Sequence, residues 1–160
     1  MGQKGFSLVE TLVVVATMII LLSVATLQFS TMMQKREMEE QTRMIYSDLT
    51  EVRQKALYEK TRRAAKITNN EFTVYPGAST ADPPVIRRPL NFPVVWSTGD
   101  AAVVITFDTF GISDNAELFV CIDPESNSSA PVDSLRITAT RVDLAKRTEG
   151  TCSDEHINLK

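Results

Sequence analysis

KGFSLVETLVVVATMIILLSVATLQFSTMMQ, residues 4–34, decides how the rest of the chain is read. After Glu10 no charged residue appears until Lys35. About two dozen uncharged, mostly apolar residues span roughly 36 Å as a helix, enough to cross a bilayer with some tilt. Val, Ile and Thr are frequent here, which does not oppose a helix. In lipid a spanning segment must satisfy its own backbone hydrogen bonds. The run reads as a secretory signal peptide, a plain membrane anchor, or a segment built for assembly.

Glu10 separates these readings. An ionised carboxylate in hydrocarbon costs a few kcal/mol on insertion scales, and a simple anchor gains nothing from it. It needs a cation, and the run contains none. Cleavage after Gly5 would create one, the new α-amino group of Phe6, about one helical turn from Glu10. That amine can neutralise its own Glu10 or that of a neighbouring subunit.

The motif KGFSLVE resembles the cleavage motif of type IV pilins and type II secretion pseudopilins. The matching positions are Lys4, Gly5, Phe6 and Glu10. The resemblance implies a leader of residues 1–5, cut by a prepilin peptidase between Gly5 and Phe6, with N-methylation of Phe6. It implies an assembly role for Glu10. The competing signal-peptide reading places the cut at the small residues Ser23 and Ala25, leaving Thr26 first.

The chain has 160 residues and a formal net charge of −3. Beyond the apolar run there is room for one domain of about 100–120 residues. The acidic balance excludes a global bias toward nucleic acid. Cys121 and Cys152 both fall in the C-terminal part, and if the anchor delivers that part outside the cytoplasm, one disulfide between them is the natural reading. Lys4 would stay cytoplasmic by the positive-inside tendency, although Lys35 and Arg36 lie on the far side.

From residue 35 to 63 the helix continues as an amphipathic one. Met38, Thr42, Ile45, Leu49, Val52 and Ala56 recur at steps of three and four. Glu39 with Arg43, Glu51 with Lys55 and Glu59 with Arg63 stand i,i+4, acid first, the favourable order. No Pro or Gly interrupts residues 6–63. A coiled coil has the same spacing, but only about three heptads exist and a following domain can cover the stripe. The pilin resemblance implies a long stalk whose second half packs on a sheet. Many pilins carry a proline in mid-stalk, whereas here Leu27 and its neighbours offer none and the first proline is Pro76.

After Arg63 the period becomes two. Strands are expected over residues 64–68 and 71–75 about an Asn69-Asn70 turn, 92–97 at an edge, 103–107, and 118–122 with Leu118, Val120 and Ile122 on one face and Phe119 and Cys121 on the other. Residues 76–93 read as a loop with a solvated Arg87-Arg88 pair, 108–111 as a turn, and 123–131 as a polar loop. Residues 134–144 read as one strand whose change of phase marks a bulge near Thr140-Arg141. The remainder is a polar tail holding His156.

The expected fold class is α+β, a long N-terminal helix, membrane-spanning in its first half, packed on a C-terminal antiparallel β-sheet domain. Its parts are a leader (1–5), a transmembrane or filament-core helix (6–34), its amphipathic continuation (35–63) and an extracytoplasmic β-rich domain (64–160). Phe107 and Gly111, then Ile137 and Val142, are similar to the GspH/FimT-type minor pilins and pseudopilins, as is the placement of the cysteines. A glycine usually precedes the arginine of the last strand in that group, and here Thr140 stands there.

Little suggests an enzyme. A lone histidine in a polar tail has no nucleophile at any motif spacing, the cysteines lack metal-ligand company, and no phosphate loop appears. No cofactor and no metal are expected. The resemblance implies instead a minor pilin of a type IV pilus, held in the bacterial inner membrane with its domain in the periplasm until it enters a filament. Its partners would then be the prepilin peptidase and other minor and major pilins. The alternative is a minor pseudopilin of a type II secretion system. A third reading is DNA binding during uptake, by the locally basic Arg136, Arg141, Lys146 and Arg147. No aromatic residue interleaves these cations, so a stacking platform is missing, and a solvated strand edge is the preferred reading.

Overall fold

The computed structural model describes residues 7–98, 101–122, 130–148 and 150–160, with the backbone alone for 24–28. It divides into two compact units, Met1–Gln34 and Lys35–Lys160. Among the described residues one α-helix, α1 (Leu8–Glu59), is followed by nine strands.

In the first unit the described side chains of α1 are exposed, from Leu8 through Leu22 and again at Phe29, Met32 and Met33. The hydroxyls of Thr11, Thr17 and Ser23 donate back to the carbonyls of Ser7, Val14 and Ile19. These polar groups are therefore satisfied within the helix. Among the described residues no helix is long and apolar enough to cross a membrane.

In the second unit the expected stripe is buried in full: Met38, Thr42, Ile45, Leu49, Val52 and Ala56 are at most 2% exposed. Glu39–Arg43, Glu51–Lys55 and Glu59–Arg63 all form ion pairs along α1. Lys55 holds the Glu51 carboxyl below its usual pKa by a hydrogen bond and by its charge. The helix stops at Glu59, earlier than the expected residue 63, because Lys60 turns left-handed (φ 54°). Such a residue closes a helix as glycine commonly does.

The stripe carries two antiparallel sheets rather than one. The first has the order β3-β2-β1-β5, built from β1 (Arg63–Ile67), β2 (Glu71–Tyr75), β3 (Ile86–Pro89) and β5 (Val103–Phe107). The second has the order β4-β6-β7-β8-β9, from β4 (Val94–Trp96), β6 (Glu117–Ile122), β7 (Ser134–Thr138), β8 (Val142–Arg147) and β9 (Ile157–Leu159). Ala65, Ile67, Phe72, Val74, Ile105 and Phe107 of the first sheet meet Leu118, Val120, Leu135 and Ile137 of the second in one core with the α1 stripe. The edge position expected for the strand around residue 94 is confirmed.

Three expectations are corrected. Residues 76–93 are not all loop, since Ile86–Pro89 pairs with β2, Arg88 opposite Phe72. Residues 134–144 are two strands of a hairpin, not one bulged strand. The change of phase is the turn at Ala139-Thr140, where the Thr138 hydroxyl accepts from the Arg141 N–H (3.1 Å) and donates to the Arg141 carbonyl (3.2 Å). The polar tail is ordered: residues through Arg147 extend β8, then a 3-10 turn (Asp154–His156) leads into β9. His156 is half-buried in that turn, its backbone carbonyl accepting from Thr148. Of the expected 123–131 loop, residues 123–129 lie outside the described residues.

Candidate functional site

The carboxylate that organises the sequence stands in the first turn of α1. Glu10 is exposed among exposed Leu8, Val9, Leu12 and Val13, and has no ion-pair partner among the described residues. On one side of the helix Leu8, Leu12, Val15, Ala16 and Ile19 line a shallow apolar groove. Isolated in water this arrangement is unfavourable. It is stabilised where apolar surface covers the helix and a cation meets the carboxylate. Gly5 and Phe6, the expected cleavage and methylation positions, lie outside the described residues, as does Lys4.

The cysteines meet. Cys121 on β6 and Cys152 form a disulfide with Cα atoms 5.9 Å apart. Alternation explains the geometry: Leu118, Val120 and Ile122 point to the main core, and Phe119 and Cys121 to the outer face of the second sheet. There Cys152 and Ile157, both from the C-terminal segment, join Phe119, Cys121 and Val95 in a small second core. The bridge therefore pins β9 and the segment before it onto a face that would otherwise expose Phe119.

The four cations are not brought together. Arg136 on β7 lies opposite Asp143 and is bound by Glu117 of β6 at 2.7 Å. Arg141 is exposed in the hairpin turn. Lys146 and Arg147 stand at the far end of β8, roughly 15–20 Å along the strand from Arg141. They also point to opposite faces, Lys146 in phase with Leu144 and Arg147 in phase with Arg136. The Arg147 guanidinium approaches the Ile122 carbonyl. Among the described residues no group of three or more His, Cys, Asp or Glu has the geometry of a metal site.

Two polar clamps escape a reading by pattern alone. Asp48, one helical turn from Ile45 on α1, binds Arg88 of β3. Gln41 donates from its amide to the Phe92 carbonyl (2.8 Å) and accepts from the Phe92 N–H (3.0 Å). Both join α1 to the segment between β2 and β4, across about 40–50 residues of sequence. Only an amphipathic reading that asks why Gln41 and Asp48 fall on the buried side of the stripe would have found them. A third feature is the turn between β5 and β6, which holds Phe110 out in solvent beside Lys60.

A long N-terminal helix, apolar and exposed at first and then buried under antiparallel sheets, defines the type IV pilin-like fold, and this chain has it. Among solved structures it is similar to the crystal structure of the type IV minor pilin FimU of Pseudomonas aeruginosa strain PAO1. The TM-score is 0.55 and the identity 14%, over 69% of this chain and 90% of that one. The likeness is one of fold. No family model matches the chain, and no curated protein matches it.

Proposed function

We propose that the chain is a minor pilin, a low-abundance building block of a type IV pilus. The observation that carries this is the division of α1: side chains exposed and apolar around a single carboxylate from Leu8 to Leu22, then a stripe from Met38 to Ala56 buried by the domain's own sheets. A helix that covers one half and leaves the other half apolar has a second environment to enter. The similarity to a solved type IV minor pilin supports a pilus over a secretion pseudopilus.

In this reading residues 1–5 are a leader removed by a prepilin peptidase. Residues 6–34 hold the precursor in the inner membrane and then pass from lipid into the filament core. The amphipathic continuation and residues 64–160 stand outside the cytoplasm, where a disulfide persists. Glu10 pairs with the amine of Phe6 on its own or a neighbouring chain. In a low-dielectric core that pair sets the axial register of an incoming subunit, and it need not add net stability.

The test is incorporation. Filaments sheared from cells should contain the chain at low abundance. The Glu10→Val variant should remain in the membrane at normal levels, be processed, and be absent or depleted in filaments. Normal incorporation of Glu10→Val removes the role of Glu10. Absence of the unaltered chain from every filament preparation overturns the minor-pilin reading.

A further inference from the structure

The β5–β6 connection starts beside the end of α1. Continuing the β1–β5 register past Arg63 and Phe107 sets Lys60 opposite Phe110. The Phe110 ring is 69% exposed, yet the turn that carries it is tied at several points. One Asp108 carboxylate oxygen accepts from the Phe110 and Ile112 N–H groups, both at 2.8 Å. The Asp108 N–H donates to the Ile112 carbonyl and the Gly111 N–H to the Asp108 carbonyl, both at 2.9 Å. Arg53 of α1 donates from Nε to the Gly111 carbonyl at 2.9 Å. Gly111 has φ +71°, and an ideal Cβ there would lie 3.4 Å from the Arg53 side chain, so glycine suits the close approach. A ring on a turn so fixed loses little entropy when it docks.

The helix end contributes strain and charge. Lys60 closes α1 at φ 54°, where glycine would be unstrained. The lysine sets its ammonium 5.7 Å from the Phe110 ring centroid. Strain kept at an exposed position points to a use for the side chain that bears it. Nearby acids are already engaged: Glu51 by Lys55, Glu59 by Arg63, and Asp108 by the N–H groups of its own turn. The next acid, Asp114, follows Ser113, whose N–H donates to the Ala139 carbonyl beyond β7. Lys60 and Arg62 are exposed and have no ion pair among the described residues. Leu57, one turn after Arg53 on the same side of α1, and Ile112 are exposed as well. On a chain of net charge −3 this patch is therefore apolar at its centre and basic at its rim.

We infer that Phe110 and Lys60 anchor this domain on a different pilin subunit, at an apolar pocket rimmed by carboxylates. The ring fills the pocket, and Lys60 and Arg62 meet the carboxylates. A rigid aromatic anchor has the composition of a binding hot spot, and the charges around it set the choice of partner. Tyr58 is turned about 100° around the helix from Leu57. No second ring thus continues a platform for stacked bases, and the aliphatic neighbours suit a protein pocket. A second copy is not the occupant, because a low-abundance subunit has other pilins as its neighbours. The inference rests on the minor-pilin reading, which it deepens by naming the surface and the chemistry of the neighbour it meets.

The test uses the full-length chain in cells that assemble filaments. With the photoreactive p-benzoylphenylalanine in place of Phe110, irradiation should link this chain to one other pilin. Mass spectrometry of the adduct should place the link beside Asp or Glu residues of that pilin. The same probe in place of Val85, exposed on the β2–β3 connection, should not give that adduct. Lys60→Gly with Arg62→Gln relieves the left-handed strain and so keeps the fold, and it should lower the adduct about tenfold. Lys60→Arg with Arg62→Lys should preserve it. Changing the linked carboxylates of the partner to lysine should lower it too, and should restore it against a Lys60→Glu, Arg62→Glu chain. No adduct, a link to a second copy or to nucleic acid, or an adduct indifferent to these charges overturns the inference. If filaments contain the chain in those cases, the minor-pilin reading stands and only the docking surface is lost. Absence of the unaltered chain from filaments overturns the minor-pilin reading itself.

Discussion

Asp48 of α1 and Arg88 of β3 form a two-point ion pair between the helix and the edge of the first sheet. The guanidinium Nε lies 2.5 Å from one carboxylate oxygen and Nη2 3.3 Å from the other. The Asp48 side chain is 7% exposed and that of Arg88 45%. Alternation brings them together, because Arg88 pairs with Phe72 and so shares its helix-facing side. Arg87 takes the opposite face and pairs there with Glu71.

Removing one partner leaves Asp48 as a buried carboxylate without its cation. Arg88→Ala should destabilise the chain by about 2 kcal/mol, less than the loss from a fully buried pair, because water can reach the vacated side. Replacing both by leucine should cost less than the single change. Thermal unfolding in detergent checks this, and a double-mutant cycle with no coupling between the two residues would contradict it.

Lys60 ends α1 at φ 54°, a conformation that costs a residue with a Cβ roughly 1 kcal/mol. Its exposed contact with the Phe110 ring returns about half of that. Lys60→Gly should therefore stabilise the domain slightly, by up to about 0.5 kcal/mol, and Lys60→Val should destabilise it. A rise in unfolding temperature for valine would show that the left-handed closure is not what ends the helix.

The disulfide closes a sequence separation of 31 residues. The chain-entropy model assigns such a loop roughly 3–4 kcal/mol. Cys121→Ser with Cys152→Ser should lose about that much stability. Hydrogen exchange should rise first at residues 150–160 and at Phe119, while Ile105 and Leu135 keep their protection until global unfolding. Equal loss of protection at all sites would mean that the outer cluster is not a separate, bridge-dependent layer.

Much of this architecture is written in local pattern. The stripe from Met38 to Ala56, the alternation of Val103 to Phe107 and the two-faced burial of residues 117–122 follow from periods of 3.6 and 2, which need no partner to be recognised. β3 was hidden because prolines at 83, 84 and 89 and two adjacent arginines look like a surface loop. Its strand character depends on pairing with β2 and on Asp48, 40 residues away. The β7–β8 hairpin was hidden because Ala139-Thr140 lacks the glycine or asparagine that marks a tight turn, its hydrogen bonds coming from Thr138 instead. β9 is only three residues long and is held by the disulfide and its edge pairing with β8. The Glu10 motif rests on the sequence alone. The Phe110 surface does not, since exposure is a property of the folded chain.

The dispersed cations give a prediction for DNA. Arg136 is neutralised by Glu117, and Lys146 and Arg147 lie on opposite faces of β8. With duplex DNA at moderate salt the chain should show little binding, and Arg141→Ala, Lys146→Ala, Arg147→Ala should change it little. Tight binding that falls steeply with salt and is lost in that variant would mean that these residues converge on phosphate.

The central claim is that the exposed apolar half of α1 is delivered into a filament with a freed amine opposite Glu10. Mass spectrometry of the N-terminal peptide of the chain recovered from sheared filaments tests it most directly. The account predicts a chain that begins at Phe6 and carries an N-methyl group, with a Gly5→Val precursor left in the membrane. Filaments containing a chain that still begins at Met1, or one that begins at Thr26, would contradict it.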